Sequence, residues 1–262
     1  DFAALSGQYF DMWMDDLHTV QPFEITSEWQ VYMALDWGYD NELVCHWWAI
    51  PPSGAHIYCI REYVETHKLS PVAGAEINAI NESMFGLNYI RDNRIKYMVA
   101  DPSIFAAGGQ VAKTIADDFI QALTAKEADS EGRKRRVMVV PGDNSRVHGW
   151  SVFRNMLAIQ PDGLPFAMWF KTCKYAIETI PTLIHDDHKI EDLDTDGADH
   201  AADADRYFFV ERFAPKKIEE KKPWVDLKDY VSRMTWEDLA KERERVYGRN
   251  RGVDLPVAQI GV

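Results

Sequence analysis

Residues 30–65 read QVYMALDWGYDNELVCHWWAIPPSGAHIYCIREYVE, three β-type runs in succession. Gln30–Asp36 alternates, then turns at Trp37-Gly38, so the run is predicted as a strand that ends on an aspartate. Leu43–Ile50 is apolar and aromatic and stops at the turn cluster Pro51-Pro52-Ser53-Gly54; His56–Glu65 resumes with β-branched and aromatic residues. The pair reads as a hairpin, and the three runs together as sequential antiparallel strands. Downstream, Val72–Ile90 places Ala73, Ile77, Ile80, Met84 and Leu87 at helical spacing after a Ser70-Pro71 start. Ile95–Ala100 is a short buried-type strand that stops at Asp101-Pro102, the proline biasing Asp101 toward extended backbone. Gly109–Leu123 is helical by pattern, Val137–Val140 a strand, Ser145–Ala158 an amphipathic helix, Phe166–Phe170 a strand and Cys173–Ile180 a helix.

Three antiparallel strands followed by alternating helices and strands is the order of the ribonuclease H (RNase H) fold. The expected class is α/β, a mixed sheet with helices on both faces. In that arrangement Asp36 and Asp101 end two strands, and neighbouring strands would project both carboxylates from one sheet edge. Oxygen ligands suit Mg²⁺ or Mn²⁺, and two ions ~3.5–4 Å apart can clamp the attacking and leaving oxygens of a phosphodiester. Aspartates also follow strands simply as turn residues, so order alone leaves both readings open.

The 262-residue chain carries 29 basic against 42 acidic residues, a formal charge of −13, with 46% hydrophobic and 12% aromatic residues. This composition builds a core and excludes a mainly disordered chain. The longest apolar runs fall far short of the ~20 residues of a spanning helix, so no membrane crossing is expected. Cys45, Cys59 and Cys173 are odd in number and form no CxxC, which favours reduced core thiols in a cytosolic protein. The acidity argues against a surface that holds a polyanion throughout. It is concentrated: nine acids fall between Asp186 and Asp205, with Lys189 the single Lys or Arg there. The basic run Arg133-Lys134-Arg135-Arg136 is the best candidate for contacting DNA phosphates.

Several features have plainer readings. Asp192-x-Asp194-x-Asp196-Gly197, followed six residues later by Asp203, follows most of the EF-hand spacing. Its last position is Asp where a bidentate Glu is expected, and no second loop pairs with it. Gly108–Thr114 lacks the glycine that a P-loop needs before Lys113, so no ATPase motor is encoded. Glu62 is read as an exposed strand acid in preference to an outer metal ligand. His46, His56 and His67 have no metal-ligand spacing and are read as surface or half-buried, and the tryptophans as core.

Five stretches resemble the nuclease domain of the large terminase subunit of tailed bacteriophages: HTVQPFEITSEW at His18–Trp29, YMALDWGYDN at Tyr32–Asn41, YCIREYVETHK at Tyr58–Lys68, VADPSIF at Val99–Phe105 and KIEDLDTDGADHAADADRY at Lys189–Tyr207. The resemblance covers about residues 18–210. It implies an RNase H-like endonuclease that cuts concatemeric double-stranded DNA with two divalent ions, Mg²⁺ or Mn²⁺. Carried onto this sequence it places Asp36, Asp101 and Asp203 as metal ligands, with Asp199 a further candidate and His200 a catalytic neighbour. The chain departs from the pattern at Asp205, where the family usually has an apolar residue. The resemblance further implies a preceding ATPase domain, a small terminase subunit and a portal protein as partners, and a location in the host cytoplasm at the procapsid. The absent initiating Met is expected of a piece of a longer chain. The expected division is 1–28 as a lead-in segment, 29–213 as the nuclease domain and 214–262 as a charged tail with a short helix. Alternatives are another RNase H-like nuclease (transposase, integrase or resolvase) or a noncatalytic calcium-binding module using Asp192–Asp203.

Overall fold

The computed structural model describes residues 7–106, 113–128, 134–194, 197–215 and 241. In chain order the elements are α1 (Asp15–His18), β1 (Thr19–Val20), β2 (Gln30–Asp36), β3 (Leu43–Ile50), β4 (Ile57–Glu65), α2 (Ser70–Phe85) and β5 (Ile95–Ala100). Then come α3 (Ile115–Ala122), β6 (Thr124–Ala128), β7 (Lys134–Arg136), β8 (Val139–Pro141), α4 (Arg146–Leu157), β9 (Ala167–Phe170), α5 (Lys174–Thr179) and α6 (His200–Phe213). Seven strands form one mixed sheet in the order β1-β9-β4-β3-β2-β5-β8, while β6 and β7 form a separate antiparallel pair. β2, β3 and β4 run antiparallel to their neighbours in that series, and β5 and β8 add in parallel beyond β2.

Strand alternation distributes the aromatic side chains to the two faces of the sheet. Trp47 donates its indole N–H to Asn81 Oδ1 on α2 at 2.7 Å, whereas Trp48 on the opposite face donates to Asp205 Oδ1 on α6 at 2.7 Å. Helices therefore cover both faces, α2 with α3 on one and α6 with α4 on the other. Ala201–Val210 of α6 is buried all round, because the sheet lies under one side of the helix and α4 packs on another. Trp47, Trp48, Trp150 and Trp169 are fully buried, as are all three cysteines. No helix among the described residues is long and apolar enough to cross a membrane.

Element ends follow local chemistry. α2 stops at Phe85, short of the expected Ile90, because Gly86 takes a positive φ of 83° that ends the helix. α3 starts late, at a capping box in which Thr114 and Asp117 satisfy each other's backbone N–H groups. The expected strand at 137–140 is displaced to Val139–Pro141.

The stretch expected as a lead-in contributes to the core. Tyr9, Phe10 and Trp13 are buried, Phe10 against Phe153 and Trp13 against Trp169, and β1 pairs in parallel with β9. Their aromatic area is buried against α4 and the sheet edge, and that burial draws the segment in. Chain contacts define one compact unit over Asp1–Ala214 and a second over Pro215–Val262. Except for Ala214, Pro215 and Lys241, the tail expected at 214–262 lies outside the described residues.

His46 is a correction. Read from sequence as surface or half-buried, it is fully buried, with Nδ1 2.7 Å from Asp205 Oδ1. Asp205, also fully buried, accepts in addition from Trp48 Nε1 and, at 3.2 Å, from Trp169 Nε1. A carboxylate in a core needs such a full set of donors. Glu62 likewise is neither an exposed acid nor positioned as a ligand: its two oxygens accept from the backbone N–H groups of Tyr175 and Ala176 at the start of α5.

Candidate active site

β2 and β5 lie side by side in parallel, with Leu35 opposite Ala100 and the Asp101 N–H bonded to the Leu35 carbonyl at 2.8 Å. Asp36 and Asp101 thus leave the same sheet edge, the juxtaposition their strand-end positions suggested. After Asp36 the chain folds over this edge through Trp37–Asn41. Gly38 allows this, since a Cβ there would overlap the backbone carbonyls of Asn41 and Glu42. Asp101 caps the 3-10 turn Pro102–Phe105, accepting from Ser103 N at 2.8 Å and from Ser103 Oγ at 2.6 Å.

The third wall is the N-terminal turn of α6. Asp199 precedes the helix, and the Asp203 N–H bonds to the Asp199 carbonyl at 2.8 Å, which sets both side chains on one face beside His200. Asp36, Asp101, Asp199, His200, Asp203, Arg146 and Tyr207 line one cleft together with the Trp37–Asn41 loop. Asp36 is 6% exposed, and burial, with the charges of Asp203 and Asp101 adding, raises its pKa to about 7 against the opposing hydrogen bond and charge of His200. His200 Nδ1 stands 3.0 Å from Asp36 Oδ2, and that bond is the main cause of the raised His200 pKa. Burial and the neighbouring Asp203 charge likewise raise Asp199.

Two arginines, neither evident in the sequence, complete the site. Arg206, 1% exposed, grips Asp203 Oδ1 through Nε at 2.7 Å and Nη2 at 2.6 Å, and its Nη1 donates to the Asp143 carbonyl at 3.1 Å. Its guanidinium sits 4.8 Å from the Trp150 ring centroid and 4.5 Å from that of Tyr207. The space for it exists because position 149 is glycine: a Cβ there would fall 2.6 Å from Arg206 Cγ and Cδ. Gly149→Ala is therefore expected to dislodge Arg206 from Asp203 and destabilise the domain by about 1–3 kcal/mol. A chemical denaturation curve like that of the wild type would refute this role for Gly149. Arg146, the first residue of α4, reaches Asp192, Asp199 and Asp203.

Because Asp101 is turned to Ser103, Asp203 to the arginines and Asp36 to His200, no three acid, histidine or cysteine groups among the described residues are gathered closely enough to grip a metal ion as they stand. The donor set nevertheless fits a hard divalent cation: carboxylates share one cleft, and Asp36 is held there at a cost that a cation would relieve. Nearby, the buried Tyr175 hydroxyl has no hydrogen-bond partner among the described residues and feels the charges of Glu42, Asp199 and Asp36, which add to burial in raising its pKa.

The remaining candidates are placed elsewhere. Arg133 lies outside the described residues, Lys134–Arg136 is strand β7 itself, and Arg136 is exposed beside a separate depression with Lys113 and Gln121. The EF-hand spacing is not matched by a hand. Asp192 Oδ1 accepts from Arg146 Nε and Trp150 Nε1, and His185, where a hand needs a helix before its loop, instead forms a β-bridge with Leu193. Asp196 lies outside the described residues.

The mixed sheet, the helices on both faces and the acids at the central strand ends define an RNase H-like fold. Neither a family model nor a curated protein matches the sequence. Among solved structures, the large terminase of a thermophilic bacteriophage superposes with a TM-score of 0.57 at 20% identity, over 79% of this chain and 44% of that one. The nuclease domain of the P22 large terminase superposes with a TM-score of 0.56 at 16% identity, over 79% of this chain and 94% of that one. The fold is that of phage large-terminase nuclease domains, and the chain spans under half the length of the thermophilic phage's terminase.

Proposed function

We propose that this chain is the nuclease domain of a phage large terminase, a metal-dependent endonuclease that cleaves double-stranded viral DNA concatemers during packaging. The observation that carries the reading is the meeting of Asp36 and Asp101, from adjacent parallel strand ends, with Asp203 of α6 in one cleft of this fold. Asp36, Asp101 and Asp203, with Asp199 beside them, would hold two divalent cations, Mg²⁺ or Mn²⁺. When bound, such ions supply Lewis-acid polarisation of the phosphodiester and lower the pKa of the attacking water. The protein's own contribution is placement. Arg206 fixes Asp203 Oδ1, and His200 orients Asp36 through Nδ1, with its Nε2 3.6 Å from Glu42 Oε2. His200 can also hold a proton at Nδ1 against Asp36 Oδ2. The β7 segment carrying Lys134, Arg135 and Arg136, with Arg133 before it, would meet DNA phosphates. An ATPase domain on the same polypeptide, a small terminase subunit and a portal protein would supply orientation at the procapsid in the host cytoplasm.

Supercoiled plasmid incubated with the protein tests the reading. Nicked and linear products are expected with Mn²⁺ or Mg²⁺ and none in excess EDTA. Absence of cleavage with either metal would sink it, and the structure of the product ends separates a terminase from a transposase, integrase or resolvase.

A further inference from the structure

Arg146 and Arg206 hold the same carboxylate in different ways. Arg206 is enclosed between aromatic rings and bonds Asp203 Oδ1 at 2.6 and 2.7 Å. Arg146 keeps 26% of its side chain exposed, and its contacts are graded: Nε to Asp192 Oδ1 at 3.1 Å, Nη1 to Asp203 Oδ2 at 3.4 Å and Nη2 to Asp199 Oδ2 at 3.5 Å. The first is an ordinary hydrogen bond; the other two are at the outer limit of one. The guanidinium also lies 5.2 Å from the Trp150 ring centroid, and Trp150 Nε1 itself donates to the Asp192 anchor at 2.9 Å. Since Arg206 occupies Oδ1, the oxygen of Asp203 left for any other cation is Oδ2, the one that faces Arg146. The weakly held end of Arg146 thus covers the atoms a metal would need, and the firmly held end lies outside them.

We propose that Arg146 is the resident counter-ion of the acid cleft, neutralising Asp199 and Asp203 until a divalent cation takes their oxygens, and retained at the rim by Asp192 and Trp150 when it yields. The inference rests on the metal site proposed above and concerns its regulation. Metal loading is then an ion exchange. Without a metal, one guanidinium offsets the mutual repulsion of two buried carboxylates. With it, the cleft binds metal less tightly than its acids alone would, a built-in restraint on cleavage when divalent ions are scarce.

Calorimetric titration of Mn²⁺ at constant ionic strength into wild type, R146Q and D36N tests this. R146Q removes a positive charge facing the site, so its Mn²⁺ affinity is expected to rise roughly tenfold over wild type, while D36N weakens binding. In wild-type protein, Mg²⁺ is expected to move the Arg146 Nη–H resonances, assigned with R146K, toward those of a solvent-exposed arginine while the Nε–H bonded to Asp192 stays in place, a readout independent of how R146Q folds. An equal or weaker Mn²⁺ affinity in R146Q, or stationary Arg146 Nη–H resonances at saturating Mg²⁺, overturns the proposal. If wild type binds Mn²⁺, D36N does not and R146Q is unchanged, only the role of Arg146 falls. If neither wild type nor R146Q binds Mn²⁺, the metal site falls and the counter-ion role with it.

Discussion

Asp36→Asn is expected to abolish metal-dependent plasmid cleavage while leaving the metal-free domain as stable as wild type or more so. Loss of a partner that merely supports a metal ligand costs roughly 10–100-fold in affinity or activity, so loss of a central ligand itself should exceed that range. The stability expectation has the opposite sign for a physical reason. Asp36 is buried among acids, and burial together with Asp203 and Asp101 already raises its pKa to about 7 despite the His200 hydrogen bond. Asparagine keeps the shape and an acceptor oxygen for His200 while removing the charge that the cleft opposes. Activity lost together with unchanged or raised thermal stability is the signature of a residue kept for chemistry at the expense of the fold. Wild-type nicking rates in D36N would remove Asp36 from the site. A folded-state loss of several kcal/mol would make its role structural.

Asp205→Ala should behave in the reverse way, destabilising the domain by about 3–5 kcal/mol in urea unfolding. Three donors converge on this carboxylate inside the core, His46 Nδ1, Trp48 Nε1 and Trp169 Nε1, and truncation leaves all three buried without an acceptor. The effect also carries a pH dependence. Burial pulls the His46 pKa down, but the charge and hydrogen bond of Asp205, with Glu62 adding, more than offset this and leave it raised. A histidine raised on folding contributes stability that is complete below its unfolded pKa of about 6.5 and fades as pH rises through the folded value. The gap between wild type and Asp205→Ala should therefore be wider at pH 6 than at pH 9. A loss below about 1 kcal/mol would show that the indole and imidazole donors find other acceptors, and that Asp205 is not their anchor.

These two aspartates show where sequence reading reached and where it stopped. Asp36 was legible because a β-type run ends on it just before a glycine turn, signals that reside in the consecutive residues Gln30–Gly38. Asp101 was legible through the proline that follows it, whereas Asp199, His200 and Asp203 were implied by the resemblance of the stretch Lys189–Tyr207. Asp205 read only as a departure from a resemblance. Its donors His46, Trp48 and Trp169 come from two strands far away in sequence, and nothing local to any of them announces the others. The aromatic residues Tyr9, Phe10 and Trp13 were likewise read as a lead-in, because a four-residue helix and a two-residue strand carry no periodicity to detect.

The charge of −13 also changes meaning once its members are placed. Read as a total it opposes DNA binding. In the fold, Asp205 neutralises core donors, Asp192 anchors Arg146, and Asp36, Asp101, Asp199 and Asp203 share the cleft.

Local patterns in the chain were enough to set the order of strands and helices, the acids that end β2 and follow β5, and the acidic turn that opens α6, since each follows from side-chain periodicity and turn chemistry within a few residues. It took the folded arrangement to bring those acids together, to let Arg206 fix one of them through the space left by Gly149, and to stand Arg146 among them. Such pairings depend on which strands become neighbours and how helices cross them, and so they are set by packing between segments that no local pattern links.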